Sequence, residues 1–146
     1  MFLSVKTARN PRDTRLRLSP TNRRGDAKTI LLVEDDEAVR ELTSCILQQN
    51  DFLVVEAKDA ESAFRLVADR GLAADLLVSD IRLPGMNGLQ LLETLRSRHP
   101  YLKAVFASGL SLAEVQERRL LPRDTIFLEK PYENVALIEV VRKILE

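Results

Sequence analysis

Beyond residue 28, short apolar runs alternate along the chain with longer stretches in which apolar residues recur three and four positions apart. The short runs predict buried strands, and the longer periodic stretches predict amphipathic helices. Five strands are predicted, at Thr29–Glu34, Phe52–Glu56, Leu76–Asp80, Ala104–Ser108 and Thr125–Glu129. Five helices alternate with them, at Glu37–Gln49, Ala60–Asp69, Leu89–Arg98, Leu112–Leu120 and Glu133–Leu145. This order is typical of an α/β fold in which helices cover both faces of a parallel sheet.

Polar residues stand where the predicted helices begin. Asp36, Asp59, Asn87 and Ser111 precede the first four helices, and Pro131 opens the turn into the fifth. The short polar side chains can accept hydrogen bonds from the free N–H groups of a first helical turn. These capping signals support the predicted starts independently of the apolar pattern.

Residues 1–28 show no apolar period and hold eight Lys or Arg against two Asp. Such a segment buries too little apolar surface to order itself, so we expect a disordered basic arm followed by one domain at residues 29–146. Arg9, Arg12, Arg15 and Arg17 could contact nucleic acid or an acidic membrane. A solvated extension is the favoured interpretation, because no aromatic residues are interleaved with the arginines for base stacking.

Composition narrows the class of protein further. At 146 residues and 45% hydrophobic, the chain is long enough for one domain with a core and too short for two ordinary ones. No segment remains for a DNA-binding output domain, and no apolar run is long enough to cross a membrane. The lone Cys45 excludes an internal disulfide, and we expect it to be a small core residue. A cytoplasmic location fits these features.

Chemically active side chains stand at the ends of four predicted strands: Glu34 and Asp35, then Asp80, Ser108 and Lys130. In an open parallel sheet these ends line the crevice where ligands bind. Crowded carboxylates require a neutralising cation, and an all-oxygen set without His or Cys suits Mg²⁺. One carboxylate could then act as a nucleophile toward a phosphoryl group, with an ammonium and a hydroxyl absorbing negative charge.

Four fragments carry a family resemblance: ILLVEDD at 30–36, DIRLPGMNG at 80–88, FASG at 106–109 and FLEKP at 127–131. In order and spacing they resemble the signature of response-regulator receiver domains, and the resemblance covers residues 29–146. It implies a flavodoxin-like (βα)5 doubly wound sheet with strand order 2-1-3-4-5. It also implies a phosphoprotein of a two-component system that takes its phosphoryl group from a histidine kinase or a phosphotransfer protein.

The resemblance assigns roles residue by residue. Asp80 matches the phosphoacceptor, while Ser108 and Lys130 match the switch hydroxyl and the active-site lysine. Asp35 matches a direct Mg²⁺ ligand and Glu34 one that acts through water. The remaining matches are the backbone carbonyl of Arg82 as a metal ligand, Phe127 as the switch aromatic, and Pro131 after a bond that is often cis. Glu34, Ser108 and Phe127 depart slightly from common choices in the family, and Arg82 and Leu110 match positions that tune the lifetime of the acyl phosphate.

The predicted function is that of a stand-alone receiver, not an enzyme beyond its own phosphorylation and dephosphorylation. We expect its effector to bind a face made of the fourth helix, fifth strand and fifth helix, including Glu117, Arg118, Arg119 and Glu129, and a homodimer is possible. Kinase specificity is expected to reside in the first helix and its neighbours. The sequence does not identify the kinase, the effector or the pathway.

Two alternatives stay open: a phosphate relay or sink for a hybrid kinase, and a pseudo-receiver that binds a partner without phosphorylation. A phosphatase of the haloacid-dehalogenase kind is disfavoured, because Arg82 stands where its second Asp is required. A flavin-binding flavodoxin is disfavoured because Glu34 and Asp35 replace the phosphate-binding loop.

Overall fold

The computed structural model describes residues 4–5, 27–117 and 121–146. Its strands are β1 (Ser4–Val5), β2 (Thr29–Val33), β3 (Leu53–Ala57), β4 (Leu76–Asp80), β5 (Lys103–Ser108) and β6 (Thr125–Glu129). Its helices are α1 (Glu37–Gln49), α2 (Ala60–Ala68), α3 (Gly88–Arg96), α4 (Leu112–Glu117) and α5 (Asn134–Leu145). All ten predicted elements are present, with ends that differ by at most two residues where both ends are described. The end of the fourth predicted helix lies outside the described residues.

The strands form one sheet in the order β1-β3-β2-β4-β5-β6. The five strands from β2 to β6 pair in parallel, so the predicted order 2-1-3-4-5 and the flavodoxin-like fold are confirmed. Their parallel pairing places the carboxyl ends of all five at one edge of the sheet. That edge carries the chemically active residues.

The strand β1 was not predicted. Ser4 and Val5 pair antiparallel with Glu56 and Val55 on the outer side of β3. Of residues 1–28, for which a disordered arm was predicted, the structure describes only residues 4–5 and 27–28. The disorder of the arm therefore stays a prediction.

Apolar side chains pack in two clusters, one on each face of the sheet. One cluster joins the sheet to α2, α3 and α4, and the other joins it to α1 and α5. The central strands are apolar on both faces because helices cover both, as their uninterrupted apolar runs predicted. In the described part of the chain, no helix is both long and apolar enough to cross a membrane.

The capping predictions are confirmed at four helix starts. Asp36, Asp59 and Asn87 accept hydrogen bonds from the backbone N–H groups of the first turns of α1, α2 and α3, and Ser111 Oγ does so for α4. The prediction for Cys45 was wrong, since its side chain is exposed on α1. These caps fix where each helix leaves the sheet edge.

Candidate functional site

Neighbouring strands deliver the site residues in matched register. Val33, directly before Glu34, lies beside Ser79, directly before Asp80. On the next strand Ala107 lies beside Asp80, so Ser108 projects one residue beyond it. The backbone N–H of Lys130 donates to the carbonyl of Ser108 at 2.7 Å. The topology therefore brings all four strand ends to one crevice.

Lys130 joins two of the carboxylates. Its Nζ lies 2.8 Å from Asp80 Oδ2 and 3.0 Å from Glu34 Oε1, and its side chain is 28% exposed. Burial alone would lower the pKa of Lys130, but the hydrogen bonds and negative charges of Asp80 and Glu34 outweigh it and raise the pKa above its ordinary value. Lys130 is therefore a fixed ammonium across the physiological range.

Glu34 is a buried acid, 6% exposed, at the end of β2. Its Oε2 accepts from the backbone N–H of Asp36 at 3.2 Å, and its Oε1 accepts from Lys130. Burial raises the pKa of Glu34 above its ordinary value, and these two hydrogen bonds offset only part of that effect. Additional positive charge at this point would stabilise its ionised form.

Asp80 is held from both sides. Oδ1 accepts from the backbone N–H of Arg82 at 3.0 Å, while Oδ2 accepts from Lys130. Behind it, the first residue of α3, Gly88, packs so closely that an added Cβ would overlap the backbone carbonyl of Asp80. Glycine is required here for close approach of the helix to the strand. The position of Asp80 is thus set by two backbone contacts: the N–H of Arg82 binds its carboxylate, and Gly88 packs against its carbonyl.

A divalent metal fits this arrangement. Glu34, Asp35 and Asp80 each offer a carboxylate oxygen, and these oxygens lie within 4.8 Å of one another. Such a set of hard oxygen donors, one of them on a buried acid with a raised pKa, suits Mg²⁺. The backbone N–H of Arg82 donates to Asp80, which places Arg82 next to this cluster. The role of the Arg82 carbonyl as a further metal ligand stays a prediction.

Ser108 and Phe127 lie on the side of the crevice formed by β5 and β6. Ser108 is fully buried, and its Oγ accepts from the backbone N–H of Leu110 at 3.2 Å. Phe127 is half-buried and packs against the cluster that contains Phe106, Leu110 and Val115. The predicted cis bond between Lys130 and Pro131 is confirmed. The switch roles of Ser108 and Phe127 stay predictions.

The sequence interpretation missed a second ion pair beside the site. Arg40 of α1 lies 3.4 Å, through Nε, from Glu56 of β3, and its Nη1 donates to the backbone carbonyl of Glu34 at 2.8 Å. Glu56 is 2% exposed. A charged residue inside the apolar run of β3 was the available signal, because a buried acid requires a partner.

Comparison with known proteins agrees with this geometry. The protein-family model described as response regulator receiver domain matches residues 30–142. The chain belongs to the response regulator receiver family. A crystal structure of a response regulator receiver protein from Sinorhizobium medicae covers 82% of this chain and 95% of that one, with a TM-score of 0.74 and 30% identity. The crystal structure of the receiver domain of hybrid histidine kinase CckA covers 81% and 99%, with a TM-score of 0.69 and 31% identity.

Among curated proteins, this receiver is 39% identical over 120 residues to the sensor kinase CckA of Brucella abortus, covering 81% of the chain and 12% of the kinase. It is 34% identical over 116 residues to the transcriptional regulatory protein FixJ of Azorhizobium caulinodans, covering 76% of the chain and 52% of the regulator. The chain thus spans from about an eighth to about half of these relatives. What it shares with each of them is a region of about 120 residues.

Proposed function

We propose that this receiver accepts a phosphoryl group on Asp80 from a histidine kinase or a phosphotransfer protein, in a reaction that requires Mg²⁺. The observation that carries the proposal is Lys130, whose ammonium contacts Asp80 Oδ2 at 2.8 Å beside three clustered carboxylates. Asp80 Oδ2 thus lies next to one cation, the ammonium of Lys130. The cluster of Glu34, Asp35 and Asp80 can hold a second cation, Mg²⁺. An anionic phosphoryl group can approach a carboxylate only where such cations surround both.

The phosphoryl transfer exchanges one bond to phosphorus for another. A carboxylate oxygen of Asp80 forms a bond to phosphorus while the N–P bond of the donor phosphohistidine breaks, and the electron pair of that bond returns to the imidazole. Mg²⁺ held by Asp35, Asp80 and, through water, Glu34 would supply positive charge to the transferred oxygens. Lys130 and the hydroxyl of Ser108 contribute hydrogen bonds to the same oxygens. The domain gains the phosphoryl group that the donor loses, so it is the acceptor in this reaction and not a catalyst for other substrates.

The output depends on Ser108 and its neighbours. Movement of its hydroxyl toward a phosphoryl oxygen opens space toward which Phe127 can turn, and this changes the surface of α4, β6 and α5. Glu117 and Glu129 are exposed on that surface, and Glu129 Oε1 accepts from the N–H of Leu112, which ties β6 to the start of α4. This face is the proposed effector site of a single-domain regulator. Arg118 and Arg119 lie outside the described residues.

The proposed kinase contact lies on α1 and the start of α5. Leu42 is 60% exposed and Val135 is 65% exposed, so both apolar side chains are open to contact with a partner. Both helices begin at the sheet edge that carries Asp80, so a partner bound there can reach the acceptor. Apolar anchors of this kind supply much of the affinity in protein interfaces.

A phosphate relay or sink is the second proposal. It is favoured by the likeness to a sensor kinase and to the receiver domain of a hybrid histidine kinase. The two functions differ in the fate of the phosphoryl group once Asp80 carries it. Rapid loss of phosphate, or its return to a phosphotransfer protein with no change at the α4-β6-α5 surface, would favour the relay or sink.

The proposed function is tested by the intact mass of the protein after incubation with phosphoramidate, with and without Mg²⁺. Wild type is expected to gain one phosphoryl group only when Mg²⁺ is present, and Asp80→Asn to gain none. Asp36→Asn is the matched control: Asn can also cap α1, and loss of the Asp36 charge should leave phosphorylation unchanged. Phosphorylated Asp80→Asn would overturn the assignment of the acceptor, and folded wild type that gains no mass would favour a pseudo-receiver.

A second variant separates phosphorylation from switching. Lys130→Ala is expected to keep Mg²⁺ binding, since the proposed role of the ammonium is to bind the phosphoryl oxygens and not the metal, yet to lose the change at the α4-β6-α5 surface. Amide chemical shifts in α4 and β6 before and after phosphorylation report that change. A response equal to wild type would exclude the proposed role of Lys130.

A further inference from the structure

Arg40 connects three elements next to the acidic cluster. It projects from the first turns of α1, its Nη1 donates to the carbonyl of Glu34 at the end of β2, and its Nε faces Glu56 Oε1 of β3. The side chain of Arg40 is 17% exposed and that of Glu56 is 3% exposed. The guanidinium is thus held in one orientation, by a carboxylate on one side and by a backbone carbonyl on the other.

The carbonyl that Arg40 binds belongs to the peptide between Glu34 and Asp35. A peptide group is planar, so its carbonyl oxygen and the Cα of the next residue lie in one rigid unit. A donor that fixes the carbonyl of Glu34 therefore fixes the plane from which the side chain of Asp35 leaves the backbone. Asp35 is exposed beyond the end of β2, and its position depends on this peptide more than on packing.

Stability alone is a weak explanation for this ion pair. Taking two charges out of water costs free energy that their attraction often fails to recover, and apolar residues of similar volume are frequently as stabilising. The planar fork of arginine, in contrast, binds a carboxylate and a carbonyl in a fixed relative orientation, which the rotatable ammonium of lysine does not impose. The arrangement is better suited to fixing a geometry than to holding the helix on the sheet.

We infer that Arg40, oriented by Glu56, is a positioning residue that sets the acidic pair for Mg²⁺ through the Glu34–Asp35 peptide. The inference rests on the proposed function, because it requires that the cluster bind the metal. The inference predicts a change in Mg²⁺ affinity opposite to that expected from charge alone. Loss of a nearby positive charge should strengthen the binding of a cation, whereas loss of the positioning contact should weaken it.

The experiment compares Mg²⁺ affinities by NMR titration of the unphosphorylated protein, following the amides of Asp35 and Asp80. The decisive variant is Arg40→Met/Glu56→Leu, which removes both charges of this ion pair together. Its thermal midpoint in EDTA is expected to stay close to that of wild type. Its affinity for Mg²⁺ is expected to fall roughly tenfold, the usual scale for losing a group that orients metal ligands.

Lys58→Met is the matched control. Lys58 is exposed one residue after β3, at the same sheet edge, and its loss removes a positive charge without touching the peptide of Glu34. The control should bind Mg²⁺ as tightly as wild type or more tightly. Arg40→Met alone should also bind more weakly than wild type, despite its gain in net negative charge.

The outcomes separate the inference from the proposed function. Weak binding by the folded double variant beside normal binding by Lys58→Met supports the positioning role. Wild-type affinity in the double variant overturns that role and leaves the metal site intact. If wild type itself shows no Mg²⁺-dependent shifts at Asp35 and Asp80, the proposed function fails and the inference fails with it.

Discussion

Gly88 offers a sharp test of how closely α3 is fitted behind the phosphoacceptor. It is buried at the first position of α3, and its N–H donates to the carbonyl of Ile81 at 2.9 Å. A Cβ built on Gly88 overlaps the carbonyl oxygen of Asp80 and lies 3.2 Å from its carbonyl carbon and 3.0 Å from Ser79 Oγ. Ser79 could rotate away, but the backbone of Asp80 is fixed by its pairing with β5. In Gly88→Ala the start of α3 must therefore shift.

The cost of that shift can be estimated from its parts. Overpacking against backbone costs about 1–3 kcal/mol, and loosening the hydrogen bond to Ile81 costs about 1 kcal/mol more. The better helix propensity of alanine returns up to about 1 kcal/mol. The free energy of unfolding should thus fall by about 1–4 kcal/mol in Gly88→Ala. At about 3 °C per kcal/mol for a domain of this size, the thermal midpoint should fall by about 3–12 °C.

The assay is denaturant and thermal unfolding of Gly88→Ala beside Gly109→Ala. Gly109 also adjoins the site, but a Cβ there meets no atom within 4 Å. The control should stay within about 0.5 kcal/mol of wild type. Gly88→Ala should also accept a phosphoryl group from phosphoramidate more slowly, because the shift of Gly88 disturbs the loop after Ile81 from which the N–H of Arg82 holds Asp80 Oδ1. A misplacement of about 1 Å can cost about a hundredfold in rate. Equal stability and equal rates in the two variants would refute the reasoning.

Three further predictions concern charge and exposure. The raised pKa of Lys130 means that its contribution to stability is full below its ordinary pKa of 10.5 and is lost as pH rises through the higher folded-state pKa, so Lys130→Met should lack that alkaline part of the wild-type stability profile. Burial raises the pKa of Asp59, but its hydrogen bonds with Ser62 and nearby positive charges outweigh this and lower it, so the charge-dependent part of its stabilising effect should be lost as pH falls through that lowered pKa. Asp59→Ala should be about 1 kcal/mol less stable than wild type near pH 7, and the difference should shrink once wild-type Asp59 is protonated, as denaturant unfolding at both pH values will show. Native Cys45 should react with a disulfide reagent at nearly the rate of a free thiol, and a slow reaction limited by unfolding would contradict its exposure.

The order of strands and the convergence of the site could be predicted from local signals. The apolar runs ending in Glu34, Asp80 and Ser108 identified strands, and parallel pairing then required their ends to meet. The start of α3 was set one residue late, because Gly88 carries no helical signal and its role depends on the distant carbonyl of Asp80. A helix start that depends on packing against another element cannot be predicted from the local sequence pattern.

Cys45 and Arg40 show two limits of the sequence interpretation. Cys45 was assigned to the core by residue type, yet its position is two residues from buried Thr43 and Leu47, about 200° around the helix from each. Arg40 could be placed on a helix but not matched to its acid, because Glu56 is sixteen positions away on a different element. Pairings between elements need the folded geometry. The strand at Ser4–Val5 was missed for the same reason, since its partner is the edge of β3.

The hydrogen bond that Ser108 already makes sets a limit on the strength of the proposed switch. While its hydroxyl accepts from the N–H of Leu110, the resting conformation has about 1 kcal/mol in its favour. A hydrogen bond from the same hydroxyl to a charged phosphoryl oxygen is worth about 1.5–3 kcal/mol. The difference, about 0.5–2 kcal/mol, corresponds to a ratio of the active to the resting conformation of roughly 2 to 30 once Asp80 is phosphorylated. Ser108 by itself would therefore make phosphorylation a graded bias on the output surface, with an appreciable active fraction before any phosphate arrives, and a sharper response would have to come from the partner that binds there.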